Sequence, residues 1–259
     1  MITSVSNKQV KNIIQLTKKS KIRKETNQFV VEGIKMFQEA PKEAIRQIYV
    51  SESFLAKDNH KDILGDCKYE VMQDFVFQAA SDTKTPQGIL CIIEQFHYNT
   101  IDIIRKNPAH IIVLEDLQDP GNLGTILRAG EGAGITGVIL SKNCVDIYNP
   151  KTIRSTMGSI YRVPFVYVED LKKTVEELKR NNIEIYAAHL KQSQDYDKID
   201  LTKSHAFMIG NEGNGLSDEI SSIANSYLKI PMEGEVESLN AAIAASILMY
   251  ETARQRRNL

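Results

Sequence analysis

The sequence predicts an α/β fold in two parts, and three observations carry that prediction. Short runs rich in β-branched residues alternate with segments of helical spacing along most of the chain, the pattern of a layered α/β architecture. Apolar density falls between Gln95 and Pro108, where Asn, Lys and Pro gather. The chain has 259 residues, 42% of them hydrophobic and 25% charged, an ordinary globular composition with length enough for one or two domains.

Taken in order, Val10, Ile13, Ile14 and Thr17 sit at i, i+3, i+4 and i+7 and predict a helix over 8–18. Apolar runs bounded by turn residues predict strands at 29–31, 45–50 and 89–93, with a helix over 33–39. A short amphipathic stretch at 101–104 interrupts the poorly apolar segment. Beyond it, strands are expected at 111–114, 138–140, 165–168, 185–188, 207–209 and 228–230, and helices at 123–129, 171–179 and 238–256. Strands separated by helices predict a mostly parallel sheet covered on both faces. The expected division is a domain over 1–96, a linker over 97–107 and a domain over 108–259.

Composition narrows the function. The longest apolar runs, 111–114 and 241–245, fall far short of the roughly 20 residues a membrane span needs, and the first residues lack the apolar block of a secretory leader; a cytoplasmic location is the expectation. Cys67, Cys91 and Cys144 are scattered and the five histidines show no H-x-x-x-H spacing, so neither zinc nor disulfides are expected. The net charge of −1 hides an uneven distribution. Lys8, Lys11, Lys18, Lys19, Lys21, Arg23 and Lys24 fall in a segment without acids, either a solvated face or a surface for phosphates. Arg254, Arg256 and Arg257 in a final helical turn complement the helix dipole.

Three segments concentrate the chemistry. The first is Asp119-Pro120-Gly121-Asn122-Leu123-Gly124 with Arg128; the second is Ile209-Gly210-Asn211-Glu212-Gly213-Asn214-Gly215-Leu216; the third is Ile230-Pro231-Met232 followed by Ser238-Leu239-Asn240. Each follows an expected strand and opens an expected helix, which puts all three at the carboxyl edge of one sheet, where open α/β sheets build their sites. As plain structure, Asn122 and Ser238 read as helix N-caps, and Arg128, six residues beyond Asn122, as a surface arginine roughly over its side. The glycines at 210, 213 and 215 allow close backbone approach, but their spacing is neither a dinucleotide fingerprint nor a phosphate loop. Glu212 between them is an acceptor without an evident partner, and helix propensity does not ask for Asn240 in a first turn.

In order and spacing, the triple resembles the motifs of the SpoU family of RNA ribose 2′-O-methyltransferases, within the SPOUT superfamily. Asn149-Pro150-Lys151 with Arg154, Ser155, Met157 and Gly158 resembles the family's segment between the first two motifs, and Phe29-Val30-Val31-Glu32-Gly33 resembles part of its ribosomal-protein-like substrate-binding domain. The resemblance implies a SPOUT-type fold with a deep trefoil knot, which general rules on threaded connections would have argued against. It implies S-adenosyl-L-methionine as cofactor, held by Gly210, Ile230 and Leu239, no metal, and a homodimer with its sites at the subunit interface. It also implies Arg128, Asn122, Glu212, Ser238 and Asn240 as catalytic residues. A guanidinium suits stabilisation of a developing alkoxide or an adjoining phosphate; arginine's high pKa argues against its being the base, and the proton acceptor stays unassigned. Ribosomal RNA is the favoured substrate. Transfer RNA, or a non-catalytic RNA-binding or ribosome-assembly role on the same fold, is the alternative.

Overall fold

The computed structural model describes residues 1–57, 60–189 and 193–258. They form two compact units, Met1–Phe96 with Asp146–Tyr161, and His97–Val145 with the chain from Arg162 on. The segment 146–161, which the sequence reading placed inside the second domain, thus clusters with the first unit.

In the first unit, α1 (Lys8–Lys18) starts at Asn7, whose side chain accepts from Gln9 N–H, and buries Val10, Ile13, Leu16 and Thr17. Ile14 is only half-buried, so the inward stripe turns through Leu16 rather than Ile14. Next come α2 (Ser20–Thr26), β1 (Gln28–Glu32), α3 (Ile34–Glu39), β2 (Ile45–Ser51), α4 (Glu52–Leu55) and α5 (His60–Leu64). Then β3 (Glu70–Met72), α6 (Asp74–Ala80) and β4 (Ile89–Glu94) complete it. The sheet order is β1-β4-β2-β3, with β4 antiparallel to β1 and β2 and β3 parallel to β2. Helices α1 and α6 cover one face through a core that includes Ile13, Leu16, Met72, Phe77 and Leu90.

From there the chain forms α7 (Thr100–Ile104), β5 (His110–Leu114), α8 (Pro120–Ala133) and β6 (Gly137–Ser141). Helix α9 (Pro150–Thr156) belongs to the first unit. The guanidinium of Arg23 anchors that excursion: it donates to Asp146 at 3.0 and 2.6 Å and to the carbonyls of Leu16 and Thr17. Arg23 is 3% exposed, so the N-terminal basic surface consists of the lysines and excludes it.

The remaining elements are β7 (Phe165–Val168), α10 (Leu171–Arg180), β8 (Glu184–Ala188), β9 (Gln194–Asp195), β10 (His205–Ile209), α11 (Asp218–Ser221), β11 (Ser226–Lys229) and α12 (Ala241–Arg257). Their sheet runs β7-β6-β5-β10-β8-β11-β9 with every pairing parallel. Residues 110–114 and 205–209 are buried throughout, as central parallel strands covered on both faces must be. Helix α10 packs on one face, where Val175, Leu178, Ile185 and Met208 share a core. Helix α12 contacts β10 and lies along α8, where Gly130 leaves room for Met249. Leu114 pairs with Ile209 and Ala188 with Leu228, so the chain leaving β5, β10 and β11 forms three loops on one edge. Among the described residues no helix is long and apolar enough to cross a membrane.

Two helix starts differ from the sequence reading. Asp119, not Asn122, caps α8, accepting from Asn122 N–H at 2.8 Å with Pro120 inside the first turn. That is the placement helix statistics favour for Asp followed by Pro. The cap of α12 is Asn240, not Ser238: its side-chain oxygen accepts from Ala242 N–H and Ile243 N–H at 2.9 and 3.3 Å. An asparagine that looked out of place in a first turn is therefore the residue that starts the helix, and Ser238 lies in the exposed loop before it.

Candidate active site

The glycine loop after β10 folds back on itself. Asn211 and Gly215 exchange backbone hydrogen bonds at 3.0 and 2.9 Å, and Asn211 Oδ1 accepts from Gly213 N–H and Asn214 N–H. A Cβ on Gly210 would run into the backbone of Gly215 and Leu216. Only glycine allows that return at position 210.

Glu212 finds its partners in the first motif. One carboxylate oxygen accepts from Asp119 N–H and Asn122 Nδ2, both at 2.9 Å, and the other from Gln118 N–H at 3.1 Å. Burial alone would raise its pKa; the hydrogen bonds from Asn122, Asp119, Gln118 and its own N–H outweigh burial and hold the carboxyl below its ordinary value. Asn122 continues the chain, its Oδ1 accepting from Asn240 Nδ2 at 3.0 Å. The amide orientations follow from the ends of this chain. Asn240 turns its oxygen to backbone donors and so presents its nitrogen; Asn122 must accept there and then donate to a carboxylate that can only accept. Asn122 of the first motif is thereby joined to residues 90 and 118 positions away in the second and third, in one directional line.

Arg128 stands apart from that line. Six residues of helix advance about one and two-thirds turns, so it lies roughly a third of a turn away from Asn122's side rather than over it. It is exposed, and no hydrogen bond or ion pair with another described residue is seen for it.

Beside the glycine loop opens a cavity of ≈ 460 Å³. It is lined by residues 209–216, whose glycines at 210, 213 and 215 have only main chain to present, and by Ile230, Leu239, Ala244 and Leu248, with His189, Lys229 and Glu237 among its polar residues. Gly210, Ile230 and Leu239 all border it, as does Ser238; Asn122, Arg128 and Asn240 do not. Glu212 belongs to both the cavity wall and the hydrogen-bonded line. The sequence placed Asp119 in the first motif without a role and left Gln118 out; the N–H groups of both donate to Glu212. The Asp-Pro pair could have revealed the cap at Asp119, but backbone donors leave no trace in residue identity.

Loops of this arrangement, on the carboxyl edge of a wholly parallel sheet, define an α/β protein with its ligand site at that edge. Residues 109–250 match the model of the SpoU rRNA Methylase family and residues 7–91 that of the MRM3-like substrate binding domain. The chain is 32% identical over 252 residues to the 23S rRNA (guanosine(2553)-2′-O)-methyltransferase RlmP of Bacillus subtilis, covering 96% of this chain and 97% of that one. A putative TrmH family tRNA/rRNA methyltransferase of Staphylococcus aureus is 35% identical over 179 residues, 67% of this chain and 72% of the relative. The AdoMet-bound rRNA methyltransferase of Sinorhizobium meliloti superposes with a TM-score of 0.83 at 31% identity, over 98% of this chain and 97% of that one. The fold is also that of the SpoU methyltransferase AviRb from Streptomyces viridochromogenes, with a TM-score of 0.87 at 23% identity, over 98% of this chain and 100% of that one. The chain belongs to the SpoU family and is an S-adenosylmethionine-dependent RNA methyltransferase.

The cavity fits that cofactor. Its volume lies within the range of about 300–1,000 Å³ typical of ligand sites, and apolar walls with exposed main-chain groups suit an adenine ring. Once bound, S-adenosylmethionine supplies an activated methyl group on a sulfonium that departs as a neutral thioether. Among the described residues no group of three or more His, Cys, Asp or Glu could hold a metal ion.

Proposed function

We propose that this enzyme methylates a ribose 2′-hydroxyl in ribosomal RNA. The observation that carries the reading is the line Glu212–Asn122–Asn240, which ties all three motifs together beside the cavity. Gly210, Ile230 and Leu239 hold the cofactor; Asn122, Glu212, Ser238 and Asn240 shape the reacting centre; Arg128 stabilises the developing alkoxide or the adjoining phosphate. The long match to an enzyme named for 2′-O-methylation of a 23S rRNA guanosine supports the substrate class.

In this reading residues 1–96 form the RNA substrate-binding domain, joined through 97–107 to the methyltransferase domain over 108–259. The exposed lysines of α1 and α2 place RNA through its backbone, which positions a substrate without reading its sequence. The enzyme acts in the cytoplasm as a homodimer. Exposed Ile243 and Tyr250 on α12 favour a second copy there. Arg128, which does not border its own chain's cavity, would complete a site across the interface.

The test is transfer of labelled methyl groups from S-adenosylmethionine to RNA from a strain lacking the gene, offered as free RNA and as ribosomal subunits, with mass mapping of the product. A single 2′-O-methylated ribose in ribosomal RNA is the expected result. Label in transfer RNA alone, or none despite cofactor binding, would overturn the proposal.

A further inference from the structure

The glycine loop is gripped at both ends by one dipeptide of the first motif region. At its start, Asn211 Nδ2 donates to the carbonyl of Asp116 at 2.9 Å. At its end, Ser217 gives its N–H and its hydroxyl to the two oxygens of Glu115 at 2.8 and 2.6 Å. Asp116 is held in a left-handed conformation, φ 53°, and is fixed in turn by Ser141, whose hydroxyl accepts from its N–H and donates to its carboxylate. That turn lets neighbouring residues present a carbonyl and a carboxylate to opposite ends of the same loop. Glu212 reaches the other way, from the loop to the N–H groups of 118 and 119. Two carboxylates thus cross between the same pair of loops in opposite directions.

We infer that Glu115 is a positioning residue for the cofactor loop, acting through Ser217. Glu115 does not itself line the cavity; its N–H donates to the carbonyl of Ile209 on the cavity wall at 3.0 Å, and its carboxylate reaches the loop through Ser217. Ser217 follows Leu216, the last loop residue on the cavity, and its hydroxyl also accepts from Ile220 N–H at 3.2 Å to start α11. Holding Ser217 therefore sets where the main chain of 213–216 lies against the cavity. A loop held in one shape by these contacts spares a ligand part of the entropy of ordering it. The inference rests on the reading of the 210–216 cavity as the cofactor site.

The side chains specify a graded experiment. Glu115→Ala removes both acceptors; Glu115→Gln keeps an oxygen for Ser217 N–H and can donate to a reoriented hydroxyl, so it retains part of the clamp. Titration with S-adenosylmethionine and S-adenosylhomocysteine should show Kd raised about tenfold in Glu115→Ala and by about threefold in Glu115→Gln. KM for the cofactor should follow Kd, while KM for RNA and the unliganded melting temperature change much less. Ser217→Ala in the Glu115→Ala background should add little to the loss of cofactor affinity, because the Glu115 contact is already gone, while the lost α11 cap lowers the melting temperature. Leu239→Trp, which fills the cavity, separates the two claims: it abolishes cofactor binding if the cavity is the site. Normal binding in Leu239→Trp would overturn the cavity reading itself. Lost binding there with unchanged affinity in Glu115→Ala would overturn the clamp alone, as would a Glu115→Ala defect shared equally by the RNA KM. Should Glu115→Ala fail to fold, Glu115→Gln decides: wild-type cofactor affinity in that variant refutes the inference.

Discussion

Replacing Glu212 by glutamine tests the central line with the least change of shape. The carboxylate receives three donors, two on one oxygen and one on the other. A carboxamide oriented to keep Asp119 and Asn122 turns its nitrogen toward Gln118 N–H, so a donor faces a donor. Leaving that contact unmade costs about 1–3 kcal/mol in a buried setting, and the exposure of Glu212 brings it toward about 1 kcal/mol because water can substitute. The two remaining bonds also lose their charge assistance, for a combined loss of about 1–2 kcal/mol, or roughly five- to thirtyfold in kcat/KM. Acid sensitivity supplies a second readout. The folded pKa of Glu212 is depressed, so its contribution is fully present above the ordinary carboxyl pKa and is lost as pH falls through the folded value; Glu212→Gln should lack that component. Methyl transfer to RNA under kcat/KM conditions, with melting curves of both proteins from neutral to acid pH, measures both. A variant within about twofold of wild-type kcat/KM would refute the role given to the line.

Other substitutions bear on other parts of the site. Gly210→Ala should abolish cofactor binding and cost about 2 kcal/mol or more, because its Cβ meets backbone that no side-chain rotation can clear; calorimetric titration and denaturant unfolding report the two effects. Arg128→Ala should reduce turnover by about a hundredfold or more while leaving cofactor Kd nearly unchanged, the pattern of a group acting on the transition state. Away from the site, burial pushes His110 down to about 2 and His205 down to about 4, with Arg256 adding to both. Their unfolded forms bind protons first, so stability should fall as pH drops below about 6.5, by up to about 1.4 kcal/mol per unit for each histidine. Urea unfolding at pH 7.5, 6 and 5 should show this loss, and His110→Leu should reduce it.

The parallel sheet was readable because its central strands are apolar without interruption, and α1 and α10 because their buried residues recur at helical spacing. The short elements were not. Helices α2, α4 and α9 and strand β3 span too few residues for a period to emerge, and they are held by contacts distant in sequence, such as Arg23 with Asp146. Nor did length or composition suggest that 146–161 would cluster with the first unit, since that depends on contacts distant in sequence: Arg23 with Asp146, Tyr148 with Phe96, Arg154 with Asp82 and Tyr161 with Met36. A trefoil knot is an expectation of the family resemblance alone, because strand periodicity is silent on threading.

Within the site the division is sharper. Residue types and order brought the three motifs to one edge, and the structure brings Glu212, Asn122 and Asn240 into contact. Their individual roles could not be read in isolation, because each side chain serves two masters. Asn240 caps a helix with its oxygen and joins the site with its nitrogen; Asn122 accepts from Asn240 and donates to Glu212. The structural and functional readings of such residues are therefore not competitors. Capping fixes which end of Asn240 faces Asn122, and that choice propagates a single hydrogen-bond direction to the carboxylate. Asn240→Asp sharpens the point: it would keep the cap and place a second acceptor against Asn122 Oδ1. The cap should survive in melting temperature while methyl transfer falls about tenfold, because an acceptor set against Asn122 Oδ1 turns Asn122 away from Glu212. Full activity in that variant, with the helix intact, would mean the line is a by-product of capping and not part of the site.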